Sequence, residues 1–143
     1  MSHAEVQAFF ETYRAAFNRL DGDAVADLWH TPCAITNSRS GEAAARLTWW
    51  SDDAPMRANH RALCSLYRAE GYHHADFALV DCISLGARHA FANLHWTLWR
   101  SDGSLLQDFH TGYNLLRTPS GPKVLLVTAY EEDLARINRH AAE

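Results

Sequence analysis

The fold is decided by residues 91–130, which read FANLHWTLWRSDGSLLQDFHTGYNLLRTPSGPKVLLVTAY. Three runs in this stretch are rich in β-branched and aromatic residues, and the turn residues Asp102-Gly103 and Ser120-Gly121 separate them. A fourth run of the same kind comes just before. We therefore predict a four-strand meander, with strands at Phe77–Ile83, Phe91–Trp99, Leu105–Leu116 and Val124–Tyr130.

The residues before this meander carry helical patterns. Ser2 and Glu5 form a capping box, and apolar residues then recur at helical spacing, which predicts a first helix ending near Arg19. Four further segments are predicted: a short helix capped by Asp21 and stopped by Thr31-Pro32, a strand over Cys33–Thr36, a helix over Gly41–Trp50, and a helix from Asp52 to about Gly71 with Met56, His60, Leu63 and Tyr67 facing inward.

The order of these elements, helices first and strands last, predicts an α+β fold. An antiparallel sheet folded over an amphipathic helix encloses a conical cavity, so we expect a small-molecule pocket. The chain has 143 residues, which suits one domain, and no linker, repeat or low-complexity tract interrupts it. We therefore expect a single domain over residues 1–143.

Composition narrows the partners and the location. The net charge of −4 provides no basic surface for phosphates, so no nucleic-acid partner is expected. No apolar run has the roughly 18 residues that a membrane span needs, and the N-terminus does not resemble a signal peptide. The three cysteines are widely spaced in apolar surroundings, which favours reduced thiols and a cytoplasmic location. No glycine-rich phosphate loop is present, so no cofactor is expected.

The strand register decides which side chains face the cavity. Asp102-Gly103 suits a two-residue type I′ turn, which would pair residues whose numbers sum to 205. A bulged three-residue loop would instead slip the register by one residue. In the first register the inward face is mostly apolar and contains Ala92, Leu94, Trp96, Leu98, Leu105, Gln107, Phe109, Thr111 and Tyr113.

The opposite sheet face is predicted to be polar and aromatic, which favours a homodimer contact. It contains Phe91, Asn93, His95, Thr97, Trp99, Asp108, His110 and Asn114. His95 and His110 would be direct cross-strand neighbours near Asp108. Two adjacent histidines disfavour double protonation, so the sequence favours a pH-sensitive dimer contact over a metal site. No metal is predicted.

Two segments resemble a known family: residues 10–35, FETYRAAFNRLDGDAVADLWHTPCAI, and residues 96–133, which include DFHTGYNLLRTPSG and VLLVTAYEED. They resemble the nuclear transport factor 2-like superfamily, the cystatin-like α+β cone shared by ketosteroid-isomerase-like and SnoaL-like proteins. The resemblance implies helices packed in a curved antiparallel sheet. These cones host isomerases, cyclases, dehydratases, hydrolases and noncatalytic binding modules, so the fold does not select an activity.

The resemblance also implies roles for three positions. In isomerases of this superfamily a tyrosine and an aspartic acid hydrogen-bond the substrate oxyanion, and another aspartate moves the proton. An ungapped placement puts Tyr13 at the tyrosine, Asn37 at the proton-moving aspartate and Thr111 at the oxyanion acid. Asparagine is no carboxylate base, and threonine is a weaker donor than an acid. These departures argue against steroid isomerisation by that mechanism.

Two residues are the candidate catalytic groups, Tyr13 and Glu131. Glu131 shares strand parity with Leu125, Val127 and Ala129, so it is placed as a base near the cavity mouth; alternatively, it belongs to the solvated N-terminus of a final helix. His60 has no neighbour in sequence that makes it part of a catalytic pair. The predicted ligand-binding residues are Phe17, Trp29, Asn37, Trp96, Gln107, Phe109, Thr111 and Tyr113.

Two functions remain open from the sequence. The first is a SnoaL-like pocket protein for a small apolar molecule, acting as a cofactor-independent isomerase, cyclase or dehydratase if it is an enzyme. The second is a noncatalytic homodimeric interaction module. An enzyme needs an open cavity, whereas in a module Trp29 and Trp96 are large enough to fill the cone.

Overall fold

A computed structural model describes residues 1–38 and 41–130 as helices packed against one curved, unclosed sheet. The helices are α1 (His3–Asn18), α2 (Gly22–Ala26) and α3 (Asp53–Ala69). The strands are β1 (Trp29–Asn37), β2 (Arg46–Trp50), β3 (Tyr72–Leu85), β4 (His89–Arg100), β5 (Leu105–Thr118) and β6 (Gly121–Tyr130). The predicted α+β fold class and the four-strand meander, now β3 to β6, are confirmed.

The sheet has the order β2-β1-β6-β5-β4-β3. Strands β1 and β6 run parallel, and every other neighbouring pair is antiparallel. The parallel contact brings the N-terminal part of the chain beside its last described strand. The sheet therefore curves around the helices with β2 and β3 at its two edges.

The first helix begins as the capping box predicts. The Glu5 backbone amide donates to the Ser2 hydroxyl at 3.1 Å, and the Glu5 side chain accepts from the Ser2 amide. Its inward stripe is buried and comprises Val6, Phe9, Phe10, Tyr13, Ala16 and Phe17. This stripe packs on the concave side of the sheet and forms the main core with it.

The predicted helix over Gly41–Trp50 is wrong. Arg46–Trp50 is the edge strand β2 and pairs antiparallel with β1. Thr48 and Trp50 line the interior cavity, whereas Leu47 and Trp49 are 68% and 60% exposed. The aromatic and β-branched residues at the end of this segment thus follow strand alternation, and pairing with β1 outweighs the helix-forming residues before them.

The second helix is shorter than predicted and the strand after it is longer. Helix α2 ends at Ala26, and β1 already begins at Trp29, before Thr31-Pro32. Strand pairing again explains the difference, since Trp29 pairs with Val124 of β6. A sequence window around Trp29 contains no information about this distant partner.

The predicted register between β4 and β5 is confirmed, but the predicted turn is wrong. Leu94 pairs with Thr111 and Leu98 with Gln107. The loop, however, closes with Arg100 N donating to Ser104 O at 2.9 Å, which leaves three residues in it, with Gly103 at φ +86°. A bulge between the Leu98–Gln107 and Trp99–Leu105 pairs restores the register.

Because of this bulge, one residue that was predicted to face inward, Leu105, does not do so. Leu105 pairs with outward-facing Trp99 and is only partly buried, while Leu106 is fully buried. A second irregularity lies between β5 and β6, where Leu125 is the extra residue and is 36% exposed. Val127 and Ala129 nevertheless line the interior, as their parity predicts.

Among the described helices, none combines the length and apolar character that crossing a bilayer requires.

Candidate functional site

A cavity of about 460 Å³ lies between the helices and the concave sheet face. Its lining includes eight aromatic residues: Tyr13, Phe17, Trp29, Trp50, Tyr67, Trp96, Phe109 and Tyr113. Its other polar residues are uncharged at neutral pH: Asn37, Thr48, Asn59, His60 and Thr111. In the described part of the chain, no Asp, Glu, Lys or Arg contributes to the lining. A volume of this size is typical of a small-molecule pocket.

Most residues predicted to bind a ligand lie at this cavity. The structure brings together Tyr13, Phe17, Trp29, Asn37, Trp96, Phe109, Thr111 and Tyr113. Gln107 is the exception: it is fully buried but does not line the cavity. Glu131 lies outside the described residues. Trp29 and Trp96 form walls and leave the cone open.

Two tyrosine hydroxyls are held in the cavity wall by tryptophans. Trp29 Nε1 donates to Tyr13 Oη at 3.2 Å, and Trp96 Nε1 donates to Tyr113 Oη at 2.9 Å. The two phenol rings are adjacent, with centroids 5.9 Å apart. Because each phenol oxygen accepts an indole N–H, each hydroxyl retains its own hydrogen for donation.

Burial keeps these phenols protonated. It raises the pKa of Tyr13 and of Tyr113 well above the ordinary tyrosine range, although the hydrogen bonds from Trp29 and Trp96 oppose the rise. The Thr111 hydroxyl lies close enough to Tyr113 to oppose it as well, but makes no hydrogen bond of normal geometry. At neutral pH the pair therefore provides hydrogen-bond donors, not anions.

His60 is a cavity residue whose importance the sequence analysis missed. It is 4% exposed, it lines the cavity, and its Nε2 has no hydrogen-bond partner in the described structure. Its ring packs against Trp29, with centroids 4.6 Å apart. The inward stripe of the last predicted helix included His60, but its proximity to Trp29 depends on the tertiary structure.

The imidazole of His60 is kept uncharged. Burial and, to a smaller extent, the positive charge of Arg57 on the same helix together lower the pKa of His60 to about 4. Arg57 itself is held at the surface by Asp23, Asp27 and Asp53. His60 is thus a neutral donor and acceptor across the physiological pH range.

Gln107 belongs to the layer beneath the cavity. Its Oε1 accepts a hydrogen bond from the Tyr67 hydroxyl at 2.9 Å, while its Nε2 has no partner among the described residues. Tyr67 lines the cavity and packs edge-on against Phe17. Gln107 therefore positions a cavity aromatic, in place of the direct ligand contact that was predicted.

The convex sheet face carries a connected polar group that we call the outer network, formed by Asp81, Asn93, His95, Asp108, His110 and Tyr130. His95 hydrogen-bonds Asp108, and its ring stacks on that of His110, with centroids 4.5 Å apart. Tyr130 donates to Asn93. The predicted pairing of His95 with His110 is confirmed. Within residues 1–38 and 41–130, no group of His, Cys, Asp and Glu side chains is arranged to hold a metal ion.

A family comparison now identifies the fold. The model of the family described as "NTF2-like protein (DUF6841)" matches residues 4–132. The chain belongs to this NTF2-like family. The resemblance stated from the sequence is therefore confirmed. Among curated proteins, no significant match to the chain was found.

Solved structures show the same fold at low identity. A cystatin-like domain of unknown function from Nostoc punctiforme PCC 73102 superposes with a TM-score of 0.69 at 11% identity, covering 99% of this NTF2-like chain and 86% of that one. A ketosteroid isomerase-like protein from Erwinia carotovora atroseptica has a TM-score of 0.63 at 15% identity, with coverages of 89% and 93%. A proposed dehydratase of the NTF2-like family from Streptomyces avermitilis has a TM-score of 0.64 at 17% identity, with coverages of 89% and 93%.

Proposed function

We propose that this NTF2-like protein binds a small, uncharged, largely aromatic molecule inside its cone. The observation that carries the proposal is the open cavity of about 460 Å³ with no charged residue in its described lining. A charged ligand would lose its hydration there without gaining an ion-pair partner, which is costly in an apolar environment. Aromatic walls favour a flat, apolar ligand.

The cavity has the donors that an oxygen-bearing ligand requires. Tyr13 and Tyr113 each retain a hydroxyl hydrogen, and burial keeps both protonated. Such donors stabilise negative charge that develops on a substrate oxygen. This supports a cofactor-independent proton-transfer reaction, of the isomerase, cyclase or dehydratase class. The similarity to the ketosteroid isomerase-like protein from Erwinia and to the proposed dehydratase from Streptomyces points in the same direction. Glu131 remains the proposed base.

Binding of matched probes tests the proposal. The methyl ether of β-naphthol is apolar and uncharged, whereas β-naphthoate has the same ring system with a negative charge. We expect calorimetric titration to detect the ether and to show binding of the naphthoate at least about tenfold weaker, the equivalent of about 1.4 kcal/mol. Equal affinity for both, or preference for the naphthoate, would contradict an uncharged ligand.

A pair of variants locates the binding site. Ala62 is an exposed residue of α3 at the cavity mouth, so Ala62→Trp should block entry without disturbing the core. Ala58 is also exposed on α3 but does not line the cavity, and Ala58→Trp is the matched control. Loss of ether binding in the first variant alone supports the cavity. Equal binding in both variants would place the ligand elsewhere.

A second proposal concerns self-association through the convex sheet face. Leu47 and Trp49 are exposed there, and the outer network lies on the same side of the sheet. Exposed apolar residues beside a polar network are typical of a protein interface. We propose a homodimer, which also agrees with a noncatalytic interaction module. Light scattering should give a dimer mass that Trp49→Glu reduces and Ala58→Glu leaves unchanged.

The thiols of the three cysteines support a location in a reducing compartment. Cys33, Cys64 and Cys82 are all free, and burial raises the pKa of Cys33 to about 11, so this thiol is unreactive. Free, buried thiols are typical of proteins in a reducing compartment. We therefore propose that the protein acts in the cytoplasm, which imaging of a tagged chain would test.

A further inference from the structure

We infer that His60 sets the specificity of the cavity by accepting a hydrogen bond from a hydroxyl group of the ligand. The inference rests on the proposed binding function and adds a ligand class to it: neutral phenols and enols, in preference to otherwise similar molecules without a hydroxyl. His60 would touch the ligand directly.

The first support is the unmet hydrogen-bonding capacity of His60. Its side chain lines the cavity, is 4% exposed, and has an Nε2 without a partner in the described structure. A buried polar atom that lacks a partner costs roughly 1–3 kcal/mol. A ligand hydroxyl that donates to this atom would remove the cost, because the described structure gives Nε2 no other partner.

The second support is the imbalance between donors and acceptors in the wall. Tyr13 and Tyr113 each accept an indole N–H and offer a hydroxyl donor to the cavity. The amide oxygens of Asn37 and Asn59 are acceptors, but both side chains are partly exposed and have water available. His60 therefore offers a buried acceptor in the same cavity wall as these donors.

The third support is that the ring of His60 is neutral and held in place. It packs on Trp29, whose own indole N–H is anchored on Tyr13 at 3.2 Å. Burial and the charge of Arg57 hold the pKa of His60 at about 4, so one ring nitrogen keeps its lone pair at neutral pH. A group with so low a pKa accepts a hydrogen bond but holds a transferred proton poorly.

The test compares β-naphthol with its methyl ether in the wild-type protein and in His60→Phe. The two probes share a ring system and differ in the hydroxyl hydrogen. We expect the wild type to bind β-naphthol about tenfold more tightly than the ether, as one buried hydrogen bond would allow. In His60→Phe this preference should vanish while binding of the ether is kept. His3→Phe, the same substitution at an exposed histidine that does not line the cavity, is the matched control and should keep the preference.

The outcomes separate the two proposals. If the wild type binds neither probe, the proposed function fails and the inference fails with it. If both probes bind and His60→Phe keeps the preference for β-naphthol, only the inference is overturned. Imidazole ¹⁵N chemical shifts of the wild type provide a second readout. They should move for His60 on addition of β-naphthol and not on addition of the ether, and an equal response to both would overturn the inference even if the variant does not fold.

Discussion

The two faces of the sheet are built from the same strands but treat their polar groups differently. On the convex face, side chains of the outer network bond one another, as in the chain from Tyr130 through Asn93 to Asp81. On the concave side, His60 from α3 and Thr111 from β5 both line the cavity and are buried, and each has an atom without a hydrogen-bond partner in the described structure. Buried polar groups are normally satisfied, so those on the concave side need an explanation.

The difference supports the proposed ligand site on the concave side. The convex face carries the proposed contact between two copies of the chain, and its polar side chains already bond one another. The cavity on the concave side has no charged residue in its described lining, holds two phenol donors and leaves an imidazole nitrogen without a partner. A ligand that forms hydrogen bonds with these groups would offset the free-energy cost of burying polar atoms without partners.

The largest effect on stability is expected from a comparison of alanine substitutions at two neighbouring residues that point to opposite faces. Leu94 is fully buried on the concave face, so Leu94→Ala should lower the free energy of unfolding by about 3 kcal/mol. Asn93, next to it on the convex face, is partly exposed, so Asn93→Ala should cost less than about 1 kcal/mol. Urea unfolding measures both. Similar losses would mean that the two faces do not differ in burial.

A smaller effect concerns pH and His60. The unfolded pKa is 6.5 and the folded one about 4, so the unfolded chain binds more protons between these values. The free energy of unfolding should therefore decrease as the pH is lowered, by about 2 kcal/mol from roughly pH 7.5 to pH 5. His60→Phe lacks this contribution, and its stability should decline less by that amount. Urea unfolding measures the pH dependence of stability in the wild type and in His60→Phe. Equal pH dependences of the two proteins would contradict a buried neutral imidazole.

Thr111→Val should separate stability from binding. The hydroxyl of Thr111 is buried and makes no hydrogen bond of normal geometry in the described structure, so replacing it by a methyl group should leave stability unchanged or raise it by up to about 1 kcal/mol. Affinity for the methyl ether of β-naphthol should fall, by roughly threefold to tenfold, if the hydroxyl donates to the ether oxygen. Thermal unfolding and calorimetry provide the two values. A large loss of stability would show that the hydroxyl is structural.

The smallest effect is expected on the convex face. His95 and Asp108 form a hydrogen-bonded pair, but their side chains are 34% and 41% exposed. Asp108→Asn should change the free energy of unfolding by less than about 1 kcal/mol, because exposed ion pairs contribute little. Ligand affinity should not change. A loss of affinity would show that the two faces communicate.

Local signals were sufficient where an element depends on its own residues. The capping box predicted the start of α1, and alternation predicted the strands of the meander, because these patterns act within a few residues. The register between β4 and β5 also followed from the sequence, although the three-residue loop and the Leu106 bulge did not. Their two shifts cancel, so the inward face was predicted correctly except at Leu105, despite the wrong turn.

The sequence by itself determined the fold class, the amphipathic first helix, and which face of β4 and β5 is apolar. Only the tertiary structure decided that Arg46–Trp50 is a strand, since its partner β1 lies outside any local window. It also decided the role of His60, which depends on Trp29 from another element and on burial that the position in a helix does not reveal. Long-range packing sets which polar groups are buried at the cavity, because their neighbours come from distant parts of the sequence.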